Sequence, residues 1–472
     1  MKLNSANLPK LAVAKPTYDR DGIGVGIVHF GVGGFHRAHQ AYYIDQLLEQ
    51  GRAREWGICG VGVLPQDQKM RDALTAQDGL YTLILVNPDG SRDVRVIGSI
   101  VDYRYAPDDP EAVIELLAAP STRIVSLTIT EGGYQIRDGD DGDHQNTVFG
   151  LVTAALARRR DRGIPSFTIV SCDNIEGNGH VAQQAFTDFA DLHHPGLTEW
   201  MTQHTKFPNS MVDRITPVTT PDVISTLAAE DGVEDQWPVV AEPFTSWALE
   251  DNFVDGRPPL EDVGVLTVAD VTPYELMKLR LLNASHQGIC YFGHLAGYRL
   301  VHDAAADPLF AEFLLDYMDS EATPTLQPVP GIDLPAFKRT AIERFANPGV
   351  RDTIARLCAD SSDRIPKWLV PVIRTNLETG GPVRLSAAIV ASWARYAEGV
   401  DEQGRPIDVV DQLADQLIPL AQSQLQNPLA FIQNTALFGD LAQHPRFVEA
   451  YLWALDSLHR DGSRATLEAL RG

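Results

Sequence analysis

Apolar and polar positions along the first half of the chain alternate between two periods. Short apolar runs at residues 24–30, 58–63, 124–129 and 167–172 predict strands. Between them, residues 37–50 place Ala41, Ile44, Leu47 and Leu48 on one side of a helix, and 66–76 and 148–160 are also helical in pattern. Apolar strands separated by helices predict a mainly parallel sheet covered on both faces. Past Pro273 the spacing is mostly helical, over 308–317, 334–345, 383–396, 409–422 and 447–458, with Pro-rich loops such as 323–330 between. The expected fold is α/β. A Rossmann-type domain with a mainly parallel sheet spans 1–270, and a mostly α-helical substrate-binding and catalytic domain spans 271–472.

Composition narrows the functional classes. The 472 residues carry 39 Lys+Arg against 63 Asp+Glu, a formal net charge of −24. Such an excess of acid disfavours nucleic acid and anionic membrane surfaces as partners. Hydrophobic residues make up 44%, which suits a packed globular chain. No window approaches the roughly 18 uninterrupted apolar residues of a membrane span. The first twenty residues lack the apolar stretch of a secretory signal. Cys59, Cys172, Cys290 and Cys358 lie far apart with no zinc-ligand spacing, so buried free thiols in a reducing cytoplasm are expected.

Three places carry candidate chemistry. Gly31-Val32-Gly33-Gly34-Phe35-His36 follows the first strand and opens the first helix. Glycines there permit a tight turn and let the backbone approach a pyrophosphate at a helix N-terminus. His36 stands where the fingerprint has its third glycine. Asp67 lies just past the second strand, 36 residues beyond Gly31. A carboxylate there bonds ribose hydroxyls and repels a 2′-phosphate, selecting NAD; it also suits a helix N-cap. Thr272-Pro273-Tyr274-Glu275 has capping-box form, so a helix should begin there. At 100° per residue Lys278, His286 and Asn283 fall at about 0°, 80° and 140°, on an arc shared with Leu279, Leu282 and Ile289. A buried ammonium either belongs to a hydrogen-bonded network or is desolvated into general-base range.

Further motifs give these residues a family. They include Phe35-His36-Arg37-Ala38-His39, Thr128-Ile129-Thr130-Glu131-Gly132-Gly133-Tyr134, Ser171-Cys172-Asp173-Asn174, residues 207–217 (FPNSMVDRITP) and Glu242-Pro243-Phe244. With the Lys278-x4-Asn283-x2-His286 helix, the chain resembles the polyol-specific long-chain dehydrogenase/reductase family over nearly its whole length. The resemblance implies metal-free, NAD-dependent oxidation of a secondary alcohol, with D-mannitol and D-fructose the expected pair and substrate lying between two domains. It implies Lys278 as general base, Asn174 and Asn283 as donors to the developing alkoxide, and His286 as the group positioning substrate and lysine. Gly31, Gly33, Gly34, Phe35, Asp67, Glu131 and Asp213 fall to the cofactor side, Glu131 also linking the lysine to solvent. Arg356 and Arg364 are implied substrate ligands, although the family pattern has lysine at Arg364, where a surface ion pair is the plainer reading. Oxidation of D-arabinitol or sorbitol, reduction of a hexuronate, and a non-catalytic sugar or nucleotide sensor are the alternatives. A monomer or small homo-oligomer is expected.

Overall fold

The computed structural model describes residues 1–135 and 147–471. The chain forms two compact units, Met1–Asn87 with Ser91–Thr272, and Pro273–Gly472 with Pro88–Gly90.

The first unit is built on strands β1 (Val25–Phe30), β2 (Gly57–Gly62), β3 (Tyr81–Val86), β4 (Arg92–Ile97), β5 (Ile100–Tyr105), β6 (Ile124–Leu127) and β7 (Thr168–Ser171). β8 (Ser210–Asp213), β9 (Val239–Ala241), β10 (Ser246–Glu250) and β11 (Leu266–Val268) follow. The main sheet has the order β5-β2-β1-β6-β7 with every pair parallel. That is the doubly wound order with its reversal between β1 and β6, where such sheets bind ligands at the carboxyl ends of the strands. Successive side chains on β1 enter opposite cores: Ile27 packs with Ala41, Ile44 and Leu48, whereas Val28 and Phe30 pack with Val152, Leu156 and Phe186. Two three-stranded sheets, β4-β3-β9 and β11-β10-β8, complete the unit.

The helices are α1 (Gly34–Ala38), α2 (Gln40–Glu49), α3 (Gln68–Ala76), α4 (Pro110–Ala118), α5 (Val148–Arg162), α6 (Asn178–His193), α7 (Leu197–His204) and α8 (Pro221–Glu230). The single helix expected over 37–50 is divided. His39 leaves helical geometry at φ −124°, ψ −89°, its ring taken by the Ser246 carbonyl and the Gln40 amide.

The second unit opens with α9 (Thr272–Met277), a π-helical segment (Lys278–Asn283) and α10 (Ala284–Leu295). Helices at Pro308–Tyr317, Leu334–Phe345, Arg384–Tyr396 and Pro445–Arg460 match the apolar spacing closely. The helix expected from 409 begins instead at Ala414. Asp411 spends its carboxylate on the N–H groups of Ser362 and Leu413 and on the Ser362 hydroxyl, and the Val410 carbonyl accepts from Asp360 N–H. The expected loop at 323–330 begins with a 3₁₀ turn, Thr323–Thr325.

Glu321 shows how the helical unit is fastened. Its buried carboxylate accepts from the N–H groups of Leu385 and Ser386 and from the Ser386 hydroxyl, capping helix Arg384–Tyr396 from outside. Burial pushes its carboxyl above the usual range, and the three donors oppose that shift. Glu321→Ala strands a buried N–H of Ser386 and a half-buried one of Leu385 and should lower unfolding free energy by about 2–4 kcal/mol. Urea unfolding measures this, and an unchanged midpoint removes Glu321 from the account of this helix.

Candidate functional site

The glycine turn sits at the reversal of the main sheet. Gly31 has φ +89°, and a Cβ there would lie 2.1 Å from the Thr128 carbonyl oxygen. Only glycine fits. Thr128 Oγ1 donates to the Gly31 carbonyl at 2.7 Å, tying the loop after β1 to the loop after β6. Gly33 is extended and precedes α1, and a Cβ on it would meet nothing nearer than the Gly31 oxygen at 3.8 Å. The chain can therefore be approached closely at Gly33, as a pyrophosphate requires. Gly34 packs toward Thr216 and Val239.

His36, in place of the third fingerprint glycine, meets a second imidazole. The His36 ring stacks on His29 of β1, centroids 3.4 Å apart and planes 13° from parallel, and both are buried. His29 Nδ1 is 2.8 Å from Ser126 Oγ and Nε2 is 3.0 Å from Thr128 Oγ1. Because the Thr128 hydroxyl donates to Gly31, it accepts from His29, which assigns the Nε2–H tautomer and makes Ser126 the donor to Nδ1. Burial lowers the His29 pKa to about 3, and burial beside His29 lowers that of His36. A neutral stack thus supports the turn. Arg37, buried, bonds the Gly33 and Trp237 carbonyls, so it holds the same turn from the other side.

The expected cofactor residues occupy several places around this edge. Phe35 lies in the first turn of α1, its ring 4.8 Å from that of His39. Asp67 ends a 3₁₀ turn (Pro65–Asp67) just past β2, and its Oδ2 accepts from the N–H groups of Val63 and Leu64, each at 2.9 Å. It stands at the N-cap position of α3 without making the cap bond. Gly62 must lack a side chain there, since a Cβ would fall 2.7 Å from that of Asp67. Glu131 is exposed and follows Thr130 in the loop after β6, and Asn174 is exposed in the loop after β7. Asp213 is buried at the end of β8, paired with Ser246 of β10. Next to it, Arg214 bonds the carbonyls of Ala38 and Glu242, and Glu242 accepts from Ile215 N–H.

In the second unit the helix of Lys278, Asn283 and His286 is not a continuous α-helix. Lys278–Asn283 is π-helical, and the Ala284 N–H reaches back to the Leu279 carbonyl. An i→i+5 bond widens the turn, so the residue five positions on swings back toward the first. Asn283 therefore lies nearer the azimuth of Lys278 than an α-helix would place it. Lys278 is 8% exposed and Asn283 5%, so the ammonium and amide are both largely withdrawn from water. His286 is half-buried against Phe345, ring centroids 4.5 Å apart. Sequence periodicity gives no warning of the π segment, because its residues are ordinary helix formers.

Arg356 and Arg364 are already engaged. Arg356 is paired through two nitrogens with Asp352, one turn back. Arg364 donates to the carbonyls of Arg356 and Leu357, at 3.2 and 3.0 Å, and lies over the Trp368 ring. It is a helix-end brace and not a surface ion-pair partner. All four cysteines are free and buried. Among the described residues no cluster of three or more His, Cys, Asp or Glu is placed to hold a metal, and no helix is long and apolar enough to cross a membrane.

Comparison with known proteins follows the same division. Residues 25–262 match the mannitol dehydrogenase Rossmann domain and 270–459 the mannitol dehydrogenase C-terminal domain. The chain is 45% identical to a mannitol 2-dehydrogenase of Phaeosphaeria nodorum, covering 99% of this chain and 85% of the relative. It is 43% identical to one from Aspergillus fumigatus, over 99% and 98%. Among solved structures, the Pseudomonas fluorescens mannitol 2-dehydrogenase ternary complex with NAD and D-mannitol matches at 45% identity and TM-score 0.86, over 100% and 99% of the two chains. A substrate-free D-sorbitol dehydrogenase matches at 36% and TM-score 0.92, over 99% and 100%.

The stacked histidines predict a pH dependence of stability. Above about pH 6.5 both folded and unfolded chains hold neutral histidine; below it the unfolded chain binds protons that the buried rings refuse. Stability is thus lost as pH falls from about 6.5 toward the folded value. The unfolding free energy of wild type relative to His29→Gln should shrink by about 1–1.4 kcal/mol per pH unit between about pH 6 and 4.5. Urea titrations across that window measure it, and a constant difference would mean that His29 takes up its proton without unfolding.

Proposed function

The chain belongs to the mannitol dehydrogenase family, and on that premise we propose that it is an NAD-dependent polyol dehydrogenase that oxidises D-mannitol at C2 and reduces D-fructose. The observation that carries the substrate is the full-length, 45% identical likeness to the ternary complex with NAD and D-mannitol. The glycine cradle at the sheet reversal and the carboxylate past β2 fit NAD. When bound, NAD supplies the hydride acceptor.

In this reading each residue has one task. Gly31, Gly33 and Gly34 admit the pyrophosphate, and Asp67 accepts from ribose hydroxyls and repels a 2′-phosphate. Phe35, Glu131 and Asp213 complete the cofactor side, and Glu131 passes the lysine's proton to solvent. Lys278, largely withdrawn from water, takes the proton from the substrate hydroxyl. Asn283 and Asn174 donate to the oxygen as alkoxide character develops, where a donor acts most strongly. His286 orients the substrate and the lysine, and Arg356 and Arg364 bind outlying substrate hydroxyls. No metal takes part in the step. The D-sorbitol dehydrogenase likeness supports sorbitol as a second substrate, since it differs from mannitol in configuration at one carbinol carbon.

A panel of D-mannitol, D-sorbitol, D-arabinitol and hexuronates, with NAD and NADP, tests the proposal through absorbance of the reduced nicotinamide. D-mannitol with NAD should give the highest kcat/KM; preferred turnover of a hexuronate would overturn the substrate. Lys278→Ala should lower turnover by roughly 10²–10⁴-fold and remove the rise of oxidation with pH. Asn283→Ala and Asn174→Ala should each cost roughly 10²–10³-fold. Near-normal turnover in Lys278→Ala would return that lysine to a structural role. Chelators should leave the rate unchanged. Asp67→Ala should narrow the preference for NAD over NADP, and an unaltered ratio excludes Asp67 from cofactor choice.

A further inference from the structure

Asp173 carries a burden that the mechanism above leaves unassigned. It follows β7, is 7% exposed, and its carboxylate meets three donors. Oδ1 accepts from Thr130 N–H at 2.8 Å; Oδ2 accepts from Ile129 N–H at 3.1 Å and from the Tyr134 hydroxyl at 2.7 Å. Tyr134 Oη also lies 2.8 Å from Ser171 Oγ. The Asp173 main chain is held as well, its carbonyl accepting from Asn178, whose amide also bonds Ser210. Every one of these donors is neutral. Removing a carboxylate from water onto neutral donors is a poor way to gain stability, and burial indeed raises its pKa.

What the arrangement supplies is geometry. β6 and β7 are parallel neighbours in register, Leu127 opposite Ser171, so their following loops leave the same edge of the sheet. Thr130 in the first loop has φ +67°, ψ 164°. That region is essentially reserved for glycine, and a β-branched residue persists there only when its surroundings over-determine it. The residue holding its N–H is Asp173. Glu131 follows Thr130 directly, and Asn174 follows Asp173 directly; both are exposed at the edge.

We propose that Asp173 is a positioning residue: its carboxylate clamps the loop after β6 in a strained conformation and thereby fixes Glu131 and Asn174 relative to one another. This rests on the roles given to Glu131 and Asn174 above. Loss of the clamp lets Thr130 relax to negative φ and shifts both neighbours, and misplacement of a reacting group by about 1 Å costs on the order of 10²-fold in rate.

The test is Asp173→Asn, whose amide keeps an acceptor on one side and turns a donor toward the other. Per folded molecule, kcat for D-mannitol should fall roughly 10–10²-fold. Adding Thr130→Gly, which relieves the strain without the clamp, should recover at least about fivefold of the loss. A purely structural role would lower the folded fraction and leave kcat per folded molecule unchanged. That result, or no recovery from Thr130→Gly, overturns the proposal. If Asp173→Asn does not fold, Tyr134→Phe decides: it removes one donor from Oδ2 and keeps the ring, so kcat should fall a few-fold, and an unchanged kcat counts against the clamp. The crystal structure of Asp173→Asn gives a readout independent of activity, with Thr130 at negative φ expected and Thr130 still near +67° contrary. Normal turnover in Lys278→Ala would refute the catalytic reading, and that crystal structure would still decide the clamp.

Discussion

The close approach of Gly31 to Thr128 is the constraint on which the cofactor edge depends. A main chain that passes within 2.1 Å of where a Cβ would stand lets the loops after β1 and β6 share a hydrogen bond. The sheet order reverses between those strands, so that contact closes one side of the crevice a doubly wound sheet offers to a ligand. Consequences run outward from it in both directions. Toward the helix, Thr128 fixes the His29 tautomer, and His29 carries His36, the residue that replaces a glycine in the fingerprint. Along the loop, the chain passes from Thr128 to Thr130, whose strained backbone is held by Asp173. One glycine therefore connects a neutral imidazole stack to a buried carboxylate.

The parallel sheet and the long C-terminal helices were legible because their signals are local. The apolar run before Gly31 and the spacing in 334–345 require no knowledge of distant partners. The β3–β4 hairpin is not among the predicted elements, although Tyr81–Val86 followed by Asn87-Pro88-Asp89-Gly90 is a strand with a turn signal. β9 and β11, three residues each, leave no periodicity to read. The break at His39 and the late start at Ala414 have another origin. In both, a polar side chain found a long-range partner, Ser246 for His39 and Ser362 for Asp411, and tertiary bonding overrode a sound helical pattern.

The site residues divide along the same line. Residue types gave a lysine, an amide and an imidazole on one helix, and the structure confirms that Lys278 and Asn283 are withdrawn from water. Their azimuths could not be derived, because the α-helical step of 100° does not apply across a π segment. Single π turns inside α-helices are rare and recur at functional sites. At a spacing of five residues, the π segment brings Asn283 closer to the azimuth of Lys278 than the roughly 140° of an α-helix.

Substrate choice is the feature that residue spacing reaches least, and the two arginines illustrate why. A carboxylate substrate calls for a guanidinium fork free to bind in two places. Arg356 has already committed its fork to Asp352, and Arg364 has committed an end nitrogen to two main-chain carbonyls. Recruiting either for a uronate would mean breaking the Arg356–Asp352 pair or the Arg364 bonds at the end of the helix Ile354–Cys358. A neutral polyol asks less, since a hydroxyl can accept from a guanidinium N–H that the brace leaves over and donate to a carbonyl nearby. With Arg356 and Arg364 on the substrate as proposed above, their engaged state favours polyol over uronate. It does not separate mannitol from sorbitol, because inversion at one carbinol carbon leaves the number and kind of hydroxyls unchanged.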